Sequence, residues 1–334
     1  MRRIIFGLIL LVTVSIIAAC GSADNENNND SAKAEELTLA HNLSEDHPVH
    51  KGLEHFAEKA NEYTDGALSF DILPNGVLGD EKEVIEQLQS GSVEMTRVSA
   101  GALESFADEY SILSLPYIFT SNDHYHNVMT SDVVAPIYES TKDDGFIALT
   151  YYDSGSRSFY TKDKAIMEPE DLEGLKIRVM DSPTAIKMIE LLGGTPTSLP
   201  YGEVYTGLQQ GVIDGAESNS TALTVGKHGE VAKVFSENEH TRIPDILIIN
   251  NEVWEGLSEE QQDGLRKAAE ESTEYQIELW EEEIANSVDE AKEMGVEFYE
   301  PELEPFIEKV QPLHDEFSED PVLKEIIDDI KSVE

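Results

Sequence analysis

The residues with the most to say about chemistry are the arginines, because they are scarce. Beyond the N-terminal pair Arg2 and Arg3 there are only five: Arg97, Arg157, Arg178, Arg242 and Arg266. Sixteen lysines supply the other bases, so an arginine inside an apolar strand asks for a reason. Arg178 lies in Leu175-Lys176-Ile177-Arg178-Val179-Met180, where alternation puts Lys176, Arg178 and Met180 on one strand face. A planar guanidinium at a strand end can grip a carboxylate through two parallel bonds, at the crevice where α/β folds bind ligands. It can equally form a structural bridge to one of the 68 acidic residues, and the residue pattern alone leaves both readings open.

Histidine is the second candidate. His41, His47, His50 and His55 fall within 15 residues, and His47 and His50 at i,i+3 could share a helix face. Zinc needs three or four converging ligands, and exposed or capping imidazoles explain the cluster as well. His124 and His126 read as loop residues. No G-x-G-x-x-G, P-loop, H-E-x-x-H or G-x-S-x-G motif occurs, so neither a cofactor nor an enzyme is expected. The lone cysteine, Cys20, allows no internal disulfide.

Charge narrows the class. The 334 residues carry 68 Asp and Glu against 23 Lys and Arg, a formal net charge of −45. Nucleic-acid binding needs clustered bases, and there is no basic stripe. At 40% hydrophobic content the chain can still build cores, so acidity does not imply disorder. The acid excess concentrates late: residues 251–334 hold 28 acids and six bases. That is the pattern of solvated helix faces.

The elements that must position these groups follow from periodicity. Arg2 and Arg3, the apolar run Ile4–Ile17 and Ile17-Ala18-Ala19-Cys20 read as a lipoprotein signal peptide over 1–20, with lipid attachment at Cys20. The Asn-rich segment 21–35 reads as a flexible tether. An α/β rhythm begins at Leu37, with strands at Leu37–His41, Leu68–Leu73, Glu94–Val98 and Phe146–Tyr152 around helices led by Pro48 and by Val84, Ile85 and Leu88. A second α/β unit from Ser154 has strands at Leu175–Met180 and Val212–Ala216, and helices opened by Ser182-Pro183 and over Glu203–Gln210. The apolar run Asp245–Asn250 can return to the first sheet. Ser258 with Gln261 forms a capping box for a helix running to Met294-Gly295. Some 36 residues span about 54 Å, more than one small domain, so this helix bridges two domains or forms a coiled coil; its drift without clean heptads favours the bridge.

The segment Pro169-Glu170-Asp171-Leu172-Glu173-Gly174-Leu175-Lys176-Ile177-Arg178-Val179 resembles the DctP-type solute-binding proteins of tripartite ATP-independent periplasmic (TRAP) transporters. So do, in order, Leu78-Gly79-Asp80-Glu81-Lys82-Glu83 with Gln87 and Gly91, Leu115-Pro116-Tyr117, Gly193-Gly194-Thr195-Pro196, Tyr201-Gly202-Glu203-Val204-Tyr205 and Gly211-Val212-Ile213-Asp214-Gly215-Ala216-Glu217. The likeness spans roughly 37–320. It implies an α/β, two-lobed periplasmic-binding-protein-like fold with a long helix spanning both lobes, divided as 36–153 plus 244–283 and 154–243 plus 284–334. It implies an extracytoplasmic receptor, lipid-anchored through Cys20, that closes on an organic acid and delivers it to membrane permease subunits.

The resemblance places the ligand carboxylate on Arg178 and Arg157, with Ser218 or Asn219 where the family usually has an Asn. It places an aromatic lid on Tyr201, and looser contacts at Asn42, His41, Glu81, Ser99 and Glu217. The stretch Tyr151–Arg178 and Glu217 are similar to the branch that takes uronates such as glucuronate or galacturonate. A C4-dicarboxylate or other small acid is the alternative, with Arg97 as its second cation, and a metal-binding ABC-type receptor is the reading after that.

Overall fold

The structure is a computed structural model and describes residues 34–333. The signal peptide, Cys20 and nearly all of the tether fall outside the described residues. Two sheets organise the chain. The first contains β1 (Glu35–Ala40), β2 (Leu68–Leu73), β3 (Met95–Ser99), β4 (Phe146–Tyr152) and β10 (Asp245–Asn250) in the order β2-β1-β3-β10-β4. The second contains β5 (Arg157–Thr161), β6 (Lys176–Val179), β7 (Thr195–Ser198), β8 (Gly215–Ser218), β9 (Val234–Thr241) and β11 (Glu297–Tyr299) in the order β11-β9-β5-β8-β6-β7. The chain leaves the first sheet after Tyr152 and enters the second at Arg157. It returns between Thr241 and Asp245, and β10 then pairs antiparallel with both β3 and β4.

The long helix runs over Glu259–Glu293, 35 residues or about 52 Å, and Ser258 and Gln261 close the capping box read from the sequence. It is fastened to both sheets' units. Its first half packs on the helix Pro48–Tyr63 so closely that a Cβ on Gly264 would lie 3.0 Å from Thr64 Cγ2 and 3.2 Å from the Tyr63 carbonyl. Tyr152 Oη meets Ser272 Oγ at 2.9 Å, and Thr150 Oγ1 meets Thr273 Oγ1 at 2.7 Å. Gln276 then holds the crossing strand from both sides. Its Oε1 accepts from the Asp153 amide at 2.9 Å, and its Nε2 donates to the Asp153 carbonyl at 2.8 Å. Further on, Ser287 Oγ reaches Thr224 Oγ1 at 2.9 Å, and Ala291 joins the core beside Tyr160, Phe235 and Val296.

Three expectations need correction. The strand placed at Val212–Ala216 begins only at Gly215, because Val212 is 48% exposed in the turn after the preceding helix. His124 and His126 sit in a helix, Asn122–Met129, capped by Ser121. The segment 284–334 does not stay with the second sheet. Phe306 and Val310 of the helix Glu304–Phe317 pack there, but Ile326, Ile327 and Ile330 of the helix Pro321–Ser332 fill the first unit's core beside Tyr110 and Ile112. The Ile330 carbonyl also meets His124 Nε2 at 2.9 Å. Among the described residues no helix is long and apolar enough to cross a membrane.

Candidate functional site

The ends of β3 and β6, the start of β10 and the turn after β8 face one another where the chain crosses between sheets. They enclose a cavity of about 580 Å³. Eight of the ten ligand-site residues expected from sequence line it: Asn42, Glu81, Ser99, Arg157, Arg178, Tyr201, Ser218 and Asn219. His41 and Glu217 do not line it; they stand one layer behind.

On the second-sheet wall, Ile177 and Val179 point into the core of that unit, so alternation turns Arg178 and Met180 to the cavity. Arg178 is only 4% exposed, yet among the described residues no carboxylate pairs with it. Its Nε donates to the Leu199 carbonyl at 2.8 Å, and neither Nη has an acceptor among the described residues. Burial accordingly pulls its pKa down, because the charged form has lost water without gaining a counter-ion. Arg157 differs. Its Nε donates to Glu217 Oε2 at 2.6 Å, and its Nη2 donates to Glu217 Oε1 at 2.9 Å and to the Glu217 carbonyl at 2.8 Å. Arg157 is thus already neutralised, with Nη1 left over.

Glu217 sits behind the wall because it alternates with Ser218 on β8. It is 1% exposed and also meets His240 Nε2 at 3.3 Å. Burial would raise its pKa. The Arg157 charge and the bonds from His240 and Arg157 overcome burial and hold it at about 2. Ser218 lines the cavity, and its Oγ has no partner among the described residues. The Asn219 amide is engaged: Oδ1 accepts from Thr221 N and Oγ1, and Nδ2 donates to the Ser154 carbonyl at 2.8 Å.

On the first-sheet wall, Asp80 and Glu83 form a capping box that starts the helix Glu81–Gln89 and sets Glu81 at the rim. The turn before it requires Gly79, at φ +122°, where a Cβ would fall on the Glu83 side chain. Glu81 Oε1 accepts from the Ser99 amide at 3.0 Å and from Arg97 Nη1 at 3.2 Å. Arg97 also donates to Asn42 Oδ1 at 3.0 Å and forms a short ion pair with Asp245. Burial pushes Asp245 up to about 6, against the pull of Arg97.

Sequence reasoning did not find Asp245, which reads as the first residue of an apolar strand, nor His47 as a wall residue. His47 caps the helix it precedes, with Nδ1 accepting from the Val49 amide at 3.2 Å, so its proton is on Nε2. The signal was available in its position directly before Pro48. His41 lies behind, its Nε2 2.9 Å from His50 Nδ1 and its Nδ1 accepting from the Leu43 amide. His55 stacks on Tyr275 instead. Among the described residues no three His, Cys, Asp or Glu side chains converge as metal ligands. Tyr201 leans over the cavity beside His228, ring centroids 5.5 Å apart.

The model of bacterial extracellular solute-binding proteins, family 7 (DctP), matches residues 39–320. The Salmonella typhimurium protein YiiZ is 44% identical over 238 residues, covering 71% of this chain and 73% of that protein. A TRAP periplasmic solute-binding protein of Anaerococcus prevotii, solved with bound α/β-D-glucuronate, superposes with a TM-score of 0.87 at 40% identity, covering 89% of this chain and 97% of that one. Its counterpart from Xanthobacter autotrophicus, solved with β-D-galacturonate, gives a TM-score of 0.87 at 36% identity, covering 89% of this chain and 100% of that one. With a family match over most of its length and a fold shared with these receptors, the chain belongs to the DctP family of extracellular solute-binding proteins.

Proposed function

We propose that this protein is the receptor of a TRAP transporter and holds a uronate by its carboxylate against Arg178. The observation that carries this reading is the unpaired, buried Arg178 guanidinium. A buried charge without a counter-ion costs several kcal/mol unless something compensates it, and an incoming carboxylate does so while supplying two charge-assisted bonds. Arg157 contributes Nη1, and the Ser218 hydroxyl a third contact, with Asn219 holding the turn that presents it. Asn42, Glu81, Ser99 and Tyr201 meet the sugar's hydroxyls and ring. His41 and Glu217 serve as supports rather than contacts.

Glucuronate and galacturonate in the two related structures support the ligand class. A C4-dicarboxylate is disfavoured because Arg97, the second cation it needs, already carries three acceptors. The receptor performs no catalysis. We place its lobes at 36–153 plus 244–283, and at 154–243 plus the segment from 284 through the helix Glu304–Phe317, with the terminal helix returning to the first lobe. The lipobox ending in Cys20 supports an extracytoplasmic, lipid-anchored protein that hands its cargo to permease subunits. A thermal-shift screen of uronates, aldonates, C4-dicarboxylates and divalent metals tests the ligand class. Stabilisation by uronates is expected; stabilisation by succinate or malate alone would overturn it.

A further inference from the structure

We infer that the cavity admits monoanionic sugar acids and rejects their dianionic counterparts, with Glu81 and Asp245 as the specificity-determining residues. This rests on the reading of the cavity as a uronate receptor. The two walls offer a carboxylate different partners. On the second-sheet wall Glu217 neutralises Arg157, and the Arg178 guanidinium is left for a ligand, while Asp181 and Glu203 add negative charge at the rim. On the first-sheet wall two carboxylates, Glu81 and Asp245, face the single guanidinium of Arg97. Lys82, at the rim, lies 3.9 Å from Asp181 across the cleft. One carboxylate of a ligand is therefore matched and a second is not.

The chemistry of the acceptors points the same way. Glu81 and Asp245 accept hydrogen bonds from ligand hydroxyls, and Arg97 is held by them and by Asn42 rather than offered to the cavity. An aldarate, a uronate whose aldehyde carbon is oxidised to a second carboxylate, brings an acceptor and a charge to a wall that already has both. Asp245 and Glu81 are also drawn from different elements, β10 and the helix after Gly79, so each can be altered separately.

Calorimetric titration of the full chain with D-galacturonate and galactarate, and with D-glucuronate and D-glucarate, tests this. Wild type is expected to bind each uronate at least 100-fold more tightly than its aldarate. In Asp245→Asn the aldarate should gain at least 10-fold while the uronate weakens, an opposite-signed effect that general damage to the site cannot produce. Should Asp245→Asn fail to fold, Glu81→Gln, at the cavity rim, carries the same test. Wild-type affinities within threefold of one another overturn the inference and leave the uronate reading standing. So does strong discrimination that neither substitution narrows. Absence of uronate binding in wild type refutes the receptor reading itself.

Discussion

Replacing each clamp arginine by methionine separates two guanidinium groups that look alike in sequence. Arg178→Met removes an unpaired buried charge together with one bond, Nε to the Leu199 carbonyl. That bond is worth about 1 kcal/mol net, whereas an uncompensated buried ion costs several, so the ligand-free protein should melt at or above the wild-type temperature. Binding should collapse. Two charge-assisted bonds to the carboxylate, at about 1.5–3 kcal/mol each, are lost, which is roughly 10²–10⁴-fold in affinity. Arg157→Met does the reverse to stability, because it leaves Glu217 charged and 1% exposed with only His240 beside it. Breaking such a pair costs about 3–5 kcal/mol. At about 2–4 °C per kcal/mol for lobes of this size, the melting temperature should fall by roughly 6–20 °C. Differential scanning fluorimetry without ligand and calorimetry with a uronate read both quantities. If Arg178→Met lowers the ligand-free melting temperature as far as Arg157→Met does, Arg178 is a structural residue. Wild-type uronate affinity in Arg178→Met would sink the clamp outright.

Ser218→Ala should weaken uronate binding about 10–100-fold, one hydrogen bond to an ionised carboxylate, with no change in melting temperature. Asn219→Ala should instead destabilise the ligand-free protein, since its amide ties Ser154 to Thr221; the opposite assignment of effects would give the third contact to Asn219. Glu217 governs part of the acid response. Its pKa is about 2 in the folded protein against 4.5 when free, so its stabilisation is complete above pH 4.5 and is lost as pH falls toward 2. The amount is about 3 kcal/mol, and urea midpoints should drop more steeply between pH 5 and pH 3 in wild type than in Glu217→Gln. Equal slopes would assign the acid loss to other carboxylates.

Much of the architecture is legible because it is written in local patterns. The Ser258 capping box and the length of the helix it opens require no tertiary information, and the bridge between units follows from length against domain size. The apolar runs that become β1, β2, β4, β6 and β10 stand out for the same reason. β9 does not, because Ser-Glu-Asn-Glu-His carries polar groups on both faces, and its burial is created by β5 and β11 on either side. The terminal helix has a clear apolar face, but nothing in that face says which core it fills.

The site divides along the same line. The sequence by itself determined that Arg178 lies near the end of a strand, that Val84, Ile85 and Leu88 share a helix face, and that arginines are scarce enough for each one in a strand to need a reason. Which partner each one has was decided only by the tertiary structure. Arg157 and Glu217 are 60 residues apart and meet because β5 and β8 pair antiparallel, while Arg97 meets Asp245 because β10 returns beside β3. With 68 acids available, ion pairing depends on non-local register, and no local spacing encodes it. Arg178 is left free by the same pairing: its neighbours in the sheet, β7 and β8, bring it the Leu199 carbonyl and no carboxylate, so its unpaired guanidinium is a product of strand order.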